Sequence, residues 1–196
     1  MYKIITKIIT WISCKVLFKV KYENLQNLKE FDKCLICPNH SRIFDPAFIK
    51  PVVSDLYCVA KSDLYKNKIV KKFLEENRTL PINREKADIS GVKNIVELLN
   101  NKEKIKLLIF PEGRVIKNKQ ERGKIKSGAI HIAATVDIPI IPVYITARPK
   151  FFSKVIVKIG EPFFPKKEVL NEKRILKEEA TRLLNEIYSL EYIGLQ

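Results

Sequence analysis

The sequence contains no apolar run near the roughly 20 residues that a helix needs to cross a bilayer. Lys3, Lys7 and Lys15 interrupt its N-terminal apolar segment, so we expect a chain that does not span a membrane. A secretory signal with a small-residue cleavage site is also missing. We therefore expect this protein in a reducing, intracellular compartment.

Cysteine and glycine are scarce as well. The 196 residues include 4 Cys, 6 Gly and 10 Pro, which argues against a disulfide scaffold and against a fibrous chain. Cys34 and Cys37, followed by His40, resemble part of a zinc site, but no second Cys/His pair completes it. Residues three apart in a strand also point to opposite faces. The pattern favours two cysteines in the core of a strand, and we expect no metal and no bound cofactor.

Acidic residues are few relative to basic ones. The chain has 37 Lys and Arg against 22 Asp and Glu, a net charge of +15, which indicates an anionic partner such as nucleic acid, a phosphorylated metabolite or an acidic membrane face. Aromatic residues do not interleave with the basic ones in any nucleic-acid-binding motif. We therefore expect no nucleic-acid partner. A non-catalytic protein that binds anionic lipid is the alternative to an enzyme.

The first 14 residues have the pattern of an amphipathic helix. At about 100° per residue, lysines fall on one half of the circumference, and the other half carries Tyr2, Ile4, Ile5, Ile8, Ile9, Trp11 and Ile12. Such a helix fits the headgroup layer of a membrane, where anionic lipid strengthens its binding. Packing of the helix on the protein core is the alternative. We assign residues 1–14 to an interfacial helix and residues 15–196 to a single domain.

The rest of the chain alternates strands with helices. A period of two predicts a strand from Lys15 to Tyr22. Other strands are predicted at 34–37, 56–60, 79–82, 105–110, 138–145 and 155–159, and helical patterns at 69–74, 89–99 and 175–187. This alternation predicts an α/β fold with a mixed, largely parallel sheet flanked by helices. Its ligand site is expected at the carboxyl ends of the strands.

Polar clusters follow three of the predicted strands. His40 and Asp45 have four residues between them and can meet if a helix starts there; the carboxylate would then fix the imidazole tautomer and raise its basicity. His40 is therefore a candidate general base. The other clusters are Asn83-Arg84 and Glu112-Gly113-Arg114. Two arginines and a carboxylate beside a histidine can hold a phosphate and its neighbouring hydroxyl.

The order of these clusters resembles that of the glycerolipid acyltransferase family, which is typified by 1-acyl-sn-glycerol-3-phosphate acyltransferase. The resemblance runs from about Lys19 to Pro162. Its first block is Asn39-His40 through Asp45, and Val59 to Leu64 leads to a second block that ends at Arg84. The remaining parts are Phe110-Pro111-Glu112-Gly113, Lys126-Ser127-Gly128-Ala129 and Ile138 to Val143.

The resemblance implies a glycerol-3-phosphate-acyltransferase-like fold and a definite reaction. An acyl chain passes from acyl-CoA or acyl carrier protein to the free hydroxyl of a lysophospholipid, with 1-acyl-glycerol-3-phosphate as the expected acceptor and phosphatidate as the product. Asp45 would orient His40, which takes the hydroxyl proton. Glu112 and Gly113 would bind the glycerol part. Arg84 and Arg114 would hold the phosphate. Lys61, Lys126 and loop N–H groups are the candidates for stabilising the thioester oxyanion.

The chain departs from the family pattern at two places. Arg42 lies where the family has serine, and Arg114-Val115 where it has threonine and arginine. Arg114 or Arg42 would then supply the phosphate contact, which allows a different acceptor headgroup. A lipid acceptor also favours the membrane interpretation of residues 1–14. We expect a peripheral protein on the cytoplasmic face of the cell membrane with membrane lipids as partners.

Overall fold

The computed structural model describes residue 8 and residues 12–83, 88–150 and 152–192. Its strands are β1 (Lys19–Glu23), β2 (Lys33–Pro38), β3 (Leu56–Lys61), β4 (Thr79–Ile82), β5 (Ile105–Leu108), β6 (Ile140–Ile145) and β7 (Lys154–Ile159). Its α-helices are α1 (Gln26–Lys29), α2 (Pro46–Ile49), α3 (Lys68–Glu76), α4 (Ile89–Asn100), α5 (Gly128–Val136) and α6 (Lys173–Ser189). A π-helical segment, Ile12–Leu17, precedes β1.

The strands form one sheet in the order β1-β7-β6-β2-β5-β3-β4. Strands β6, β2, β5, β3 and β4 are parallel, whereas β7 runs antiparallel to β6 and pairs in parallel with β1. The carboxyl ends of the five parallel strands and the amino ends of β1 and β7 therefore lie at the same edge. The predicted mixed, largely parallel sheet is confirmed.

The sheet separates two apolar layers, and β2 contributes to both. Leu35 and Cys37 belong to the layer formed with α4, α5 and α6, whereas Cys34 and Ile36 belong to the layer that contains α2. Both cysteines are fully buried on opposite faces, as the strand interpretation predicted. Within the described residues no group of three or more His, Cys, Asp or Glu side chains is placed to hold a metal ion.

Local side-chain bonds fix where the helices begin. The Asn67 side chain accepts hydrogen bonds from the backbone N–H groups of Ile69 and Val70, and the Asp88 side chain accepts one from Gly91. Both are N-caps that satisfy donors of a first helical turn. They explain why α3 and α4 begin where the apolar periodicity of the sequence starts.

The predicted strand from Lys15 is wrong at its start. Residues up to Leu17 are helical, and β1 begins at Lys19, which lies opposite Lys154, the first residue of β7. The earlier residues therefore have no strand to pair with, and Cys14 instead packs against the Ala47 carbonyl of α2. The amphipathic helix predicted for residues 1–14 falls largely on residues 1–7 and 9–11, which lie outside the described residues. In the described part of the chain, no helix is both long and apolar enough for a membrane span.

Candidate active site

The loop after β2 is held at the carboxyl edge of the sheet by Asn39. Its side-chain amide donates to the carbonyl of Ile145 at 3.0 Å, and its side-chain oxygen accepts from the Ile145 N–H at 2.7 Å. The amide thereby continues the pairing of β2 with β6 by one further residue. His40, the next residue, is fixed at the end of β2, which lies between β5 and β6.

His40 and Asp45 are in direct contact. His40 Nδ1 lies 3.0 Å from Asp45 Oδ2, which also accepts hydrogen bonds from the backbone N–H groups of Ser41 and Arg42 at 2.7 and 2.8 Å. Asp45 is fully buried at the start of α2, directly before Pro46. The predicted turn into a helix therefore brings the two side chains together. Because Nδ1 is bonded to the carboxylate, Nε2 is the ring nitrogen left for an exchangeable proton.

The imidazole lies between an aromatic ring and a basic cavity. Phe110 stacks on the His40 ring with a centroid distance of 3.8 Å and an interplanar angle of 22°. A cavity of about 300 Å³ is lined by His40, by the cationic residues Lys117, Lys119, Arg122 and Arg148, and by one carboxylate, that of Glu191. We refer to it as the basic cavity. Such a cavity can bind an anion next to the imidazole.

Glu112 is buried and uses both carboxylate oxygens for contacts within the protein. Its Oε2 accepts from the His40 backbone N–H at 2.8 Å, and its Oε1 accepts from the Tyr188 hydroxyl at 2.6 Å. Burial raises the pKa of Glu112 although both hydrogen bonds act to lower it. Burial also raises the pKa of Tyr188. The carboxylate therefore links the His40 loop to helix α6.

A second, largely apolar cavity of about 360 Å³ is lined by Phe110 and Pro111. We refer to it as the apolar cavity, and its apolar lining includes Val59, Ile82, Ile95, Ile109 and Ile132. Gly113 and Lys126 also line it. Gly113 has a φ of +67°, and a Cβ there would lie 3.2 Å from Lys126 Cγ, so glycine suits this close approach.

The other predicted basic residues do not converge on His40. Arg114 is exposed and donates to the carbonyl of Glu121, and Lys61 pairs with Asp63 at 2.6 Å. The Arg42 guanidinium lies 6.0 Å from the centroid of the Phe44 ring. None of the three is among the described residues that line the two cavities. Arg84 lies outside the described residues; its neighbour Asn83 lines the apolar cavity.

Several residues of the site were not predicted from the sequence. Arg122 donates to both carboxylate oxygens of Glu191, at 2.6 and 3.3 Å, and its Cζ lies 4.2 Å from the centroid of the Tyr188 ring. These partners are far apart in sequence, and no local pattern connects them. Arg148 is different because it lies in the loop after the carboxyl end of β6, and the strand-end rule that selected His40 and Glu112 applies to it equally.

A family profile described as Acyltransferase matches residues 19–146, about two thirds of the chain. The chain belongs to the acyltransferase family. A 1-acyl-sn-glycerol-3-phosphate acyltransferase of Bacillus subtilis (strain 168) is 29% identical to it over 150 residues, which are 73% of each protein. The crystal structure of the 1-acyl-sn-glycerophosphate (LPA) acyltransferase PlsC from Thermotoga maritima matches with a TM-score of 0.66 and 22% identity. That match covers all of this chain and 83% of the other.

Membership of the acyltransferase family confirms two predictions. The sequence blocks identified the family, and the fold agrees with that of the Thermotoga maritima protein. The chain is therefore an O-acyltransferase, which favours the enzyme over the non-catalytic alternative. The matched residues 19–146 include His40, Asp45 and Glu112 but end before Arg148, so the profile spans only part of the basic cavity.

Proposed function

We propose that this protein transfers a fatty acyl chain from acyl-CoA or acyl carrier protein to the free hydroxyl of 1-acyl-glycerol-3-phosphate, which yields phosphatidate. The observation that carries the proposal is the His40–Asp45 pair at 3.0 Å, whose imidazole lines a cavity that four cationic side chains also line. The names of the Bacillus subtilis and Thermotoga maritima relatives support the same acceptor.

His40 acts as the general base in this proposal. Its Nε2 takes the proton of the acceptor hydroxyl while the oxygen attacks the thioester carbonyl and forms a tetrahedral intermediate. The C–S bond then breaks, and the imidazolium returns the proton to the leaving thiolate. Asp45 stabilises the imidazolium and holds the ring in place through Nδ1. Neither a metal nor a covalent acyl-enzyme takes part.

We assign the acceptor phosphate to the basic cavity. Arg148, Lys117 and Lys119 line it together with His40, so a phosphate bound there lies near the imidazole. The Arg148 backbone N–H donates to Ser41 Oγ at 3.1 Å, and its guanidinium donates to the Lys117 carbonyl at 2.9 Å. Arg148 is thus bonded to the loop that carries His40. Arg84, from outside the described residues, remains a further proposed phosphate ligand.

We assign an acyl chain to the apolar cavity. Phe110 lines this cavity and also stacks on His40, so a chain bound there ends close to the reacting atoms. Lys126 lines the same cavity and is the proposed stabiliser of the oxyanion, whereas Lys61 is engaged with Asp63. Glu112 and Gly113 shape the loop beside His40. In this proposal that loop contacts the glycerol part of the acceptor.

The proposed acceptor resides in a bilayer, which defines the proposed location. We assign residues 1–14 to an interfacial helix and residues 15–196 to the acyltransferase domain, which together make the protein peripheral to the membrane. Acyl-CoA and acyl carrier protein are cytoplasmic carriers, so the proposal places the protein on the cytoplasmic face. Apart from the acyl donor, no cofactor is required.

An acyl-transfer assay tests the proposal. Purified protein is incubated with lysophosphatidate and either donor, and the lipid product is identified by mass spectrometry. His40→Ala should lose at least about a hundredfold in kcat, because a neutral alcohol is a weak nucleophile without a base. His131→Ala is the matched control, since His131 lies on α5 and lines neither cavity. Transfer by His40→Ala at the wild-type rate would remove His40 from the mechanism.

A further inference from the structure

Three apolar side chains are exposed on segments that either line the basic cavity or contact a segment that does. Val16, Ile43 and Phe152 are 49%, 79% and 69% exposed. They belong to residues 12–19, 41–44 and 146–154, and the last two segments contribute Ser41, Thr146, Ala147 and Arg148 to the cavity lining. We refer to these three segments together as the rim patch.

Direct contacts join the three segments into one surface. The Phe152 N–H donates to the Leu17 carbonyl at 2.7 Å, and the Phe18 and Phe44 rings lie 5.9 Å apart. The Arg148 backbone N–H donates a hydrogen bond to Ser41 Oγ at 3.1 Å, which joins residues 146–154 to residues 41–44. Residues 12–18 and 146–153 precede β1 and β7, whose amino ends lie at the same edge of the sheet as the carboxyl end of β2. The rim patch therefore lies at the same edge of the sheet as His40.

The charge of the rim patch has a single sign. Its segments contain no Asp or Glu, and their basic residues are Lys15, Lys19, Arg42, Arg148, Lys150 and Lys154. Exposed apolar side chains on segments whose charged residues are all basic fit an interface with an acyl layer below anionic headgroups. A second copy of the same basic surface would be repelled. A soluble acidic protein would satisfy the cations but would not require an isoleucine that is 79% exposed.

We propose that the rim patch is a bilayer contact surface, in which Val16, Ile43 and Phe152 enter the headgroup layer and the surrounding cations bind anionic lipid. The inference deepens the proposed function, on which it rests for the identity of the acceptor. It places the basic cavity at the membrane surface. An acceptor then reaches His40 with its phosphate at headgroup depth and without leaving the bilayer.

Two pairs of variants test the rim patch in the full-length protein. Ile43→Ser with Phe152→Asn removes the apolar contact; asparagine suits the left-handed backbone of residue 152, whose φ is 63°. The matched control is Phe164→Asn with Leu170→Ser, two exposed apolar residues that follow β7 at the opposite edge of the sheet. Lys150→Glu with Lys154→Glu reverses rim charge, and Lys166→Glu with Lys173→Glu is its control.

Binding is measured by co-sedimentation with vesicles of equal parts phosphatidylcholine and phosphatidylglycerol. Each rim variant should bind about tenfold more weakly or worse than the wild type, and each control should bind like the wild type. Activity toward a short-chain lysophosphatidate that is monomeric in water should be unchanged in all four variants. Added salt should weaken wild-type binding and have less effect on the charge-reversed rim variant.

Other outcomes would overturn the proposal. Equal vesicle binding by rim and control variants would show that the rim patch does not contact lipid. A defect confined to the KM for acyl carrier protein would assign the patch to that acidic donor, and loss of a concentration-dependent dimer would assign it to self-association. If the wild type transfers no acyl chain to any acceptor, the proposed function fails, whereas the vesicle comparison still decides whether the rim patch binds membranes.

Discussion

At the scale of single residues, the two oxygens of Asp45 have unequal surroundings. Oδ2 accepts hydrogen bonds from His40 Nδ1 and from the N–H groups of Ser41 and Arg42. Oδ1 is buried and has no hydrogen-bond partner among the described residues. The carboxylate therefore positions His40 through one oxygen and contributes its charge through both. A single substitution at Asp45 can therefore separate the orienting effect of the carboxylate on His40 from the effect of its charge.

Asp45→Asn is expected to keep the orientation of His40 and to lose the charge. The amide oxygen can replace Oδ2, but the NH₂ group then lies at the buried Oδ1 position without an acceptor. We expect kcat to fall by about two to three orders of magnitude and stability by about 1–3 kcal/mol. Steady-state kinetics and urea unfolding measure the two effects. Asp63→Asn, at an exposed carboxylate, is the control, and unchanged kcat in Asp45→Asn would contradict the assigned role.

Tyr188 is a positioning residue in this site because it acts on His40 through Glu112. The hydroxyl bond to Oε1 lowers the pKa of Glu112, so its removal raises that pKa further and leaves the carboxyl protonated to higher pH. Tyr188→Phe should lower kcat about tenfold with little change in KM, because the His40 loop loses a fixed anchor. The acid limb of the pH–kcat profile should move to higher pH.

The control for Tyr188→Phe is Tyr192→Phe, at an exposed tyrosine one turn further along the chain. A tenfold loss with an unshifted acid limb would indicate that Tyr188 is structural and does not act through Glu112. A shift of the limb to lower pH would contradict the direction derived from the hydrogen bond.

At the scale of secondary-structure elements, α6 connects the core to the site. Leu183 and Ile187 are fully buried on its inner face and hold the helix against α5 and β6, while Tyr188 reaches Glu112 from the same helix. The position of a helix relative to a sheet is set by such buried apolar contacts. Packing in the core therefore determines where the Tyr188 hydroxyl lies.

Leu183→Ala should destabilise the protein by about 2–5 kcal/mol, because it leaves a cavity in a fully buried layer. The midpoint of urea unfolding should fall accordingly. Asn185→Ala, at an exposed position of the same helix, should change stability by about 0.5 kcal/mol or less. If the two variants unfold at the same urea concentration, α6 does not pack as the structure describes.

The N-terminal segment is the other element with a separate prediction. Deletion of residues 2–11 removes most of the proposed interfacial helix and leaves Cys14, which packs on α2, in place. We expect weaker binding to anionic vesicles and residual binding through the rim patch. Vesicles of phosphatidylcholine alone serve as the comparison. Binding equal to that of the full chain would contradict the assignment of residues 1–14 to the membrane.

At the scale of the whole molecule, the buried thiols of β2 report on global unfolding. Burial raises the pKa of Cys34 to about 12 and also raises the pKa of Cys37, and the two side chains lie in different apolar layers. A raised pKa lowers the fraction of thiolate at neutral pH, and the thiolate is the form that reacts. Both thiols should therefore react with a thiol reagent only when the sheet itself opens.

Labelling followed by peptide mass spectrometry tests this expectation across a urea gradient. The modification of Cys34 and Cys37 should rise together at the unfolding midpoint measured by circular dichroism. Modification of either cysteine well below that midpoint would show that one apolar layer opens independently of the other.

The amino-acid pattern by itself determined the family, the order of the strands and of helices α3, α4 and α6, the two-faced burial of Cys34 and Cys37 and the meeting of His40 with Asp45. These features depend on short-range periodicity or on a spacing of a few residues, which constrain the backbone directly. Only the tertiary structure decided that Arg148, Lys117 and Lys119 line the basic cavity instead of Arg42, Arg114 and Lys61. It also decided that Tyr188 holds Glu112 and that Lys19 begins β1. Each of these depends on a partner brought near by the packing of distant elements, and the direction of a loop side chain follows from that packing and not from its neighbours in sequence.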